Sequence, residues 1–410
     1  MNLEIWRMHH SPSISIGPRV SGSPKPHPTG VTLATTREQM ESLRPIWKAL
    51  APRDIDSDID FFSTVVANAD LVLNPTVMHL RSPEGRDLMA ISRREILHIP
   101  FRFGYAKLGK AVVRAVVVTF DGILGAENPA DEAVLMKELY GLLKRGEADF
   151  ILMRNVQAEG TLFREATEAA GSAIRVLARP PSMRWVADIP SSLEDFLQRR
   201  SGKTRSTLRR KARQLEQEFA NVRIRRFCRP EELGKMCADM ESVAAASYQR
   251  RLGVGFDGAP MQVALIKRGL EMSRYSTWML YLDGRPVAFW NGFAYRDTFF
   301  IGTPAFDHEY GKHSVGSYAM MHMIEDLCAD PAITRLDFGH GEAEYKSAFG
   351  HADRLERDIY LAAARPFPVM LLAAVRTNML LENWIRQTAG KLEFTRRLKA
   401  RWRKGAFAGS

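Results

Sequence analysis

The chain has 410 residues, 45% of them hydrophobic and 26% charged, and a formal net charge of +11. That is an ordinary globular composition with material for two domains and a large core, so no disulfide or metal staple is required. Three cysteines (Cys228, Cys237, Cys328) without a CxxC pair or a His cluster argue against a disulfide framework or a zinc site, no run of eighteen apolar residues predicts a membrane span, and the positive balance favours anionic partners without choosing among them.

Residues 1–30 are rich in Ser, Pro, Gly and His and read as a disordered lead. They lack the apolar core of a secretory signal, and with the unpaired cysteines this points to a reducing cytoplasm. A first folded unit, 31–190, opens with a helix over 36–50. Strands follow over 77–81, 88–92, 111–120 and 150–154, by β-branched content and alternation. A helix over 161–170 ends at Gly171, where a C′ glycine belongs, and a short strand covers 183–187.

The break at Asp188-Ile189-Pro190-Ser191-Ser192 supplies a serine cap for the next helix. A second unit, 191–365, begins there. Its pattern is a long basic helix over 193–219, a strand over 222–227, and helices over 230–246 and 259–272. Three strands follow, 277–282, 286–295 and 298–305, the first two joined by the tight turn Asp283-Gly284-Arg285. A helix over 315–329 and strands over 335–338 and 355–361 complete it. Residues 366–410 form an amphipathic, then strongly basic, helical tail. The first unit is a looser version of the second, so the expectation is two similar α/β (α+β) units in tandem, each a mixed, mostly antiparallel sheet flanked by helices.

Four features bear on chemistry. Lys312-His313-Ser314-Val315-Gly316-Ser317 opens an apolar helix, and a helix start with a glycine lets phosphate oxygens approach unpaired backbone N–H groups. The strand ending at Asp337 empties into a turn dense in titratable groups, His340-Gly341-Glu342-Ala343-Glu344-Tyr345-Lys346. The helix over 193–219 carries Arg199, Arg200, Lys203, Arg205, Arg209, Arg210, Lys211 and Arg213 before Glu216, without interleaved aromatics. That is a phosphate footprint rather than a base-stacking one. Ser201-Gly202-Lys203-Thr204 mimics the end of a P-loop, but Leu197 stands where its first glycine belongs. Asn291 is a polar residue on an apolar strand, a weaker candidate for a pocket.

The order of three antiparallel strands, a glycine-start helix and a further strand resembles the Gcn5-related N-acyltransferase (GNAT) fold. In that family the helix start holds the pyrophosphate of acyl-coenzyme A, under the signature [Arg/Gln]-x-x-Gly-x-[Gly/Ala]. Here Gly316 keeps the central glycine, while His313 and Tyr318 stand at the other two signature positions. Ser314-Val315-Gly316, Asp337-Phe338-Gly339-His340-Gly341 and Tyr345-Lys346 together resemble a "DFG-x-G-x-x-x-YK" element. It belongs to the tandem acyltransferases of the CelD/BcsL-like (cellulose biosynthesis) group, related to the FemAB transferases. The resemblance covers residues 35 to 400.

It implies a catalytic second unit and a silent first one, with acyl-CoA as donor and no metal. Thr303 and Ala305 would line the donor, and Lys312, His313, Ser314, Val315, Gly316 and Ser317 would hold its pyrophosphate. Acyl transfer needs a proton acceptor and an oxyanion partner. His340, Glu342 and Glu344 are the candidate acceptors, Lys346 the oxyanion or substrate-anion partner, and Tyr345 the proton donor to a leaving thiolate. Asp337 would orient Lys346 or a substrate hydroxyl. The expected acceptor is an anionic small molecule or glycan precursor. The alternatives are aminoacyl-tRNA as donor, or a non-catalytic protein that binds nucleic acid or a membrane surface. The basic tail over 392–404 would place the chain at the inner membrane face.

Overall fold

The computed structural model describes residues 30–103, 106–251 and 253–389. The expected lead therefore lies almost wholly outside the described residues, as does the basic stretch 392–404.

The first half runs β1 (Val31–Ala34), α1 (Arg37–Ser42), α2 (Arg44–Ala49), α3 (Ile59–Asn68), β2 (Val72–Pro75), β3 (Val77–Arg81), β4 (Asp87–Phe103), β5 (Ala106–Leu124), α4 (Pro129–Lys144), β6 (Phe150–Gln157), α5 (Thr161–Ala170), β7 (Val176–Ala178) and β8 (Ser182–Asp188). The second runs α6 (Leu193–Gln198), α7 (Gly202–Glu218), β9 (Val222–Phe227), α8 (Leu233–Ala245), α9 (Tyr248–Arg251), α10 (Pro260–Glu271), β10 (Tyr275–Leu282), β11 (Arg285–Tyr295), β12 (Thr298–Ile301), β13 (Ala305–Phe306), α11 (Val315–Cys328), β14 (Arg335–His340), α12 (Glu344–Phe349), β15 (His351–Ala362) and α13 (Pro366–Ala389).

Several expected elements are divided. The helix over 36–50 is two, because Leu43 ends α1 and Pro45, which lacks an N–H, opens α2. The long basic helix is broken at Arg199–Ser201. Ser192 caps α6 and Ser201 caps α7, accepting the Thr204 N–H at 3.1 Å. The serine of the false P-loop is thus a helix cap. The strand over 298–305 is interrupted at residues 302–304. In the other direction, β4 and β5 are far longer than their patterns suggested. Arg93 and Glu95, which lie beyond the expected strand 88–92, are buried partners at 2.9 Å inside the hairpin. Helices α3 and α4 were not expected at all.

The two halves repeat one motif. In the first, antiparallel β3, β4 and β5 lead through α4 to β6, which pairs parallel with β5. In the second, antiparallel β10, β11 and β12 lead through α11 to β14, which pairs parallel with β12. The halves then exchange strands. β15 from the second half pairs with β6, β8 from the first half pairs with β14, and β8 and β15 pair with each other. The result is one continuous sheet.

The core follows this interlock. Phe61 of α3 packs edge-on against Phe293 of β11 at 5.4 Å, and Asp58 and Asp60 pair with Arg274 and Arg268 at 3.3 and 3.0 Å. On the opposite face, α11 buries Val315, Ala319, Met320, Met323 and Leu327 against Trp278, Phe299 and Leu336, with Leu208 and Leu215 of α7 behind them.

Candidate active site

β12 and β14 run together for three residue pairs, ending at Phe300 and Asp337, and then part. The separation has a local cause. Asn291 on β11 accepts the Gly302 N–H with its backbone carbonyl (2.8 Å) and the Thr303 N–H with its side-chain oxygen (2.8 Å), while its amide donates to Tyr275 (2.8 Å). Asn291 is fully buried. It braces the interruption between β12 and β13 and is no pocket residue. Thr303 and Ala305 are buried beside it, Ala305 paired with Phe289.

The start of α11 faces this opening. Ser314 is left-handed (φ 58°), gives no side-chain cap, and no acid lies in the first turn. A Cβ added at Gly316 would meet only the edge of Phe306, at 3.6 Å, so the glycine leaves surface open rather than filling a tight contact. The indole N–H of Trp290 donates to the Gly316 carbonyl at 2.7 Å and fixes this turn to the sheet. The equivalent start of α4 is closed to anions: Asn128 caps it through the Asp131 N–H, and Asp131 and Glu132 occupy its first turn. Only the second half presents a helix start suited to a phosphate among these two.

The other signature positions are taken by packing. His313 contacts Glu218 at 2.9 Å and lies edge-on to Phe219, while Tyr318 donates to Glu216 at 3.0 Å. Lys312 is exposed, Val315 is wholly buried, and Ser317 is half-buried.

Across the opening, the turn after β14 is shaped by two left-handed glycines, Gly339 (φ 71°) and Gly341 (φ 85°). Gly339 forms a bulge against β8, and Asp337 accepts its N–H at 2.7 Å. α12 then carries Lys346 back under the turn. Its ammonium donates to the carbonyls of Gly339 (3.2 Å) and His340 (2.6 Å). Burial lowers the Lys346 pKa to about 8, against the opposing pull of Asp337 and Glu342. Tyr345 lies edge-on to Trp290 (5.2 Å) and Phe338 (6.0 Å), and burial pushes its hydroxyl up to about 12. Glu342 and Glu344 are exposed.

The opposite face of β14 closes a cavity of about 800 Å³ between the halves. Arg184 of β8 is its charged centre. Its guanidinium donates to Asp337 at 2.7 Å and Asp54 at 3.1 Å, and lies 3.6 Å from Glu356. Burial resists ionisation of Asp337, but Arg184 outweighs it and holds the carboxyl down at about 2. Arg53, Arg154, Arg296, Arg335 and Arg354 also line this space. Asp337 therefore acts on Lys346 by charge and through the Gly339 bulge, and its direct side-chain partner is Arg184.

His340 belongs to the same network. Its Nε2 lies 2.6 Å from the Asn155 amide and 3.1 Å from Glu356, and its ring stacks on Phe120 at 6.5 Å. Burial, reinforced by Arg184, pushes its pKa down to about 3, so it is neutral at pH 7 and a weak base. The sequence reading missed Asp54, Asn155, Arg184 and Glu356. They come from four separate segments, and the one local signal was Arg184 within an otherwise apolar strand.

Residues 202–347 match the family model described as an acetyltransferase (GNAT) domain. The match begins at α7 and ends two residues before the end of α12, so it contains the helix start and the Tyr345-Lys346 pair. The structure also resembles that of FemX (TM-score 0.56, 10% identity, covering 80% of this chain and 98% of that one). Two further likenesses are a tandem GNAT protein from the clavulanic acid pathway (TM-score 0.43, 10% identity, covering 82% and 99%) and the C-terminal domain of a putative lysylphosphatidylglycerol synthetase from Agrobacterium fabrum (TM-score 0.47, 12% identity, covering 82% and 96%). At these identities the likeness is one of fold. No curated protein sequence matches the chain. Among the described residues no His, Cys, Asp and Glu cluster is arranged to hold a metal. The GNAT domain thus ends in the fork that holds Lys346, with β14 as the wall it shares with the arginine-lined cavity.

Proposed function

We propose that the chain is an acyltransferase of the CelD/BcsL-like group, moving an acyl group from acyl-CoA to an amine or hydroxyl of an anionic glycan or cell-envelope precursor. The observation that carries this reading is the parting of β12 and β14, with an uncapped, glycine-bearing helix start on one side and a buried lysine on the other. The start of α11 at Ser314–Ser317, with Lys312 nearby, would receive the donor pyrophosphate. Lys346 has three N–H donors and spends two on carbonyls, leaving one for the oxyanion that forms at the acyl carbon. Exposed Glu342 suits proton acceptance through water better than enclosed, neutral His340. Tyr345, a hydroxyl of high pKa beside Trp290, is suited to protonate the departing thiolate. The cavity with its arginines would take the acceptor.

The test is calorimetry of the full chain with acetyl-CoA and longer acyl-CoAs. Saturable one-to-one binding, lost in Gly316→Leu, supports the reading. No binding of any acyl-CoA overturns it.

One observation favours a second donor. The solvent side of α7 forms a groove of about 560 Å³ lined by Arg205, Arg209, Arg210 and Arg213. A phosphate backbone would fit there, and aminoacyl-tRNA would then replace acyl-CoA. Tight tRNA binding that falls steeply with salt would decide for this alternative.

A further inference from the structure

α13 is apolar on both sides. Its inward face sets Leu371, Leu372, Val375 and Met379 against Ile99, Val113, Phe150 and Leu177. Two arginines lock it down: Arg376 donates to the carbonyls of Ala173 and Val176, and Arg365 bonds the Ala148 carbonyl and Asp149. The outward row falls at alternating spacings of three and four residues: Phe367, Met370, Ala374, Thr377, Leu381, Trp384. None of these is charged. Phe367 is 57% exposed, Met370 69% and Trp384 62%, and Leu380 beside them 64%.

α13 also carries Arg376, Asn378 and Glu382, but Phe367, Met370, Leu380 and Leu381 stand exposed on one side of it, and a row of large apolar side chains of this kind belongs against a partner or lipid. No helix among the described residues is long and apolar enough to cross a membrane. The sequence that follows supplies the second half of the case. Residues 390–410 hold Lys391, Arg396, Arg397, Lys399, Arg401, Arg403 and Lys404 against a single acid, Glu393, and interleave Phe394, Leu398 and Trp402. Apolar and aromatic side chains on one face, joined to a run of positive charge, make up the composition of an interfacial segment.

We propose that the outward face of α13 docks on an anionic lipid bilayer. The helix lies along the headgroup region, Phe367, Met370 and Leu381 enter the acyl boundary, and the basic residues after it bind lipid phosphates. A second copy of the chain is the weaker occupant. It would bring an identical basic run to the same place, where the two repel, whereas an anionic bilayer attracts it.

The experiment is flotation of the full chain with two vesicle types, phosphatidylcholine alone and an equimolar mixture with phosphatidylglycerol. The chain should partition at least about tenfold more strongly to the anionic vesicles, and added salt should weaken it. Met370→Glu with Leu381→Glu should reduce that binding about tenfold or more while the melting temperature holds, because both side chains already face solvent. Replacing Arg396, Arg397, Arg401 and Arg403 by Gln should remove the preference for phosphatidylglycerol. The proposal fails if the wild-type chain does not float, if the double variant floats like wild type, or if light scattering shows a dimer that the double variant dissolves without any vesicle binding.

Discussion

Arg184 and Asp337 stand 153 positions apart in the chain and 2.7 Å apart in the fold. One closes the first half of the molecule and the other lines the cavity from the second. Their contact joins β8 to β14, the strands through which the halves meet. It also sets the electrostatics around the candidate site, because Asp337 pins the bulge whose carbonyls hold Lys346.

Breaking that contact from one side leaves a buried charge without its partner. Arg184→Met strands Asp337 and Glu356, and should cost roughly 3–5 kcal/mol. Asp337→Asn should cost less at neutral pH and should flatten the acid limb of the stability curve. The Asp337 pKa is depressed to about 2, so its contribution is present above the unfolded carboxyl value and is lost as pH falls from about 4 to 2. Urea midpoints across that window, for wild type and Asp337→Asn, check this.

Lys346→Ala should lower turnover by roughly 10²–10³-fold, the typical loss for one oxyanion donor, with the fold intact. Wild-type rates in this variant would remove Lys346 from the site. The pH dependence is separable from stability. With a pKa near 8, the ammonium is lost as pH rises through 8, so turnover should fall there. Stability should not fall with it, because a lysine depressed in the folded state binds fewer protons there than in the unfolded chain between about 8 and 10.4. Rate and melting profiles over pH 7–10 should therefore diverge.

Gly316→Ala should fold without strain, since the new methyl group meets only Phe306 at an ordinary distance. Its melting temperature should hold or rise slightly by helix propensity, about 1 kcal/mol at most. Donor affinity should nonetheless drop roughly tenfold if the pyrophosphate approaches this backbone. Calorimetry beside a melting curve separates the two effects.

Asn291→Ala removes the brace at the strand interruption. The Thr303 N–H and the Tyr275 hydroxyl would both lose a buried partner, at roughly 1–3 kcal/mol each. Chemical denaturation measures the loss. Donor affinity should fall as well, because the parting of β12 from β14 depends on the same contact.

Much of the fold was readable locally. The strands at 77–81 and 222–227 and the helix at 161–170 with its Gly171 end match the structure residue for residue, because alternation, helical period and a left-handed glycine are written in neighbouring positions. α4 was equally readable and was missed: Asn128-Pro129 with Asp131 and Glu132 is a helix start, and Leu135, Leu139 and Leu142 follow at helical spacing. The β4–β5 hairpin was not readable to its full length, since Arg93 and Glu95, beyond the expected strand 88–92, are charged residues that the hairpin buries as a pair.

The sequence by itself determined the repeated α/β motif, the glycine-bearing start of α11 and the Tyr345-Lys346 turn. Each depends on spacing within one segment. Only the tertiary structure decided what those groups do to one another. It gave Asp337 to Arg184 rather than to Lys346, enclosed His340 with Asn155 and Glu356, and put Asn291 behind the strand interruption instead of in a pocket. Charge and desolvation act through space over a few ångströms, and the strand exchange brings together residues that are far apart along the chain.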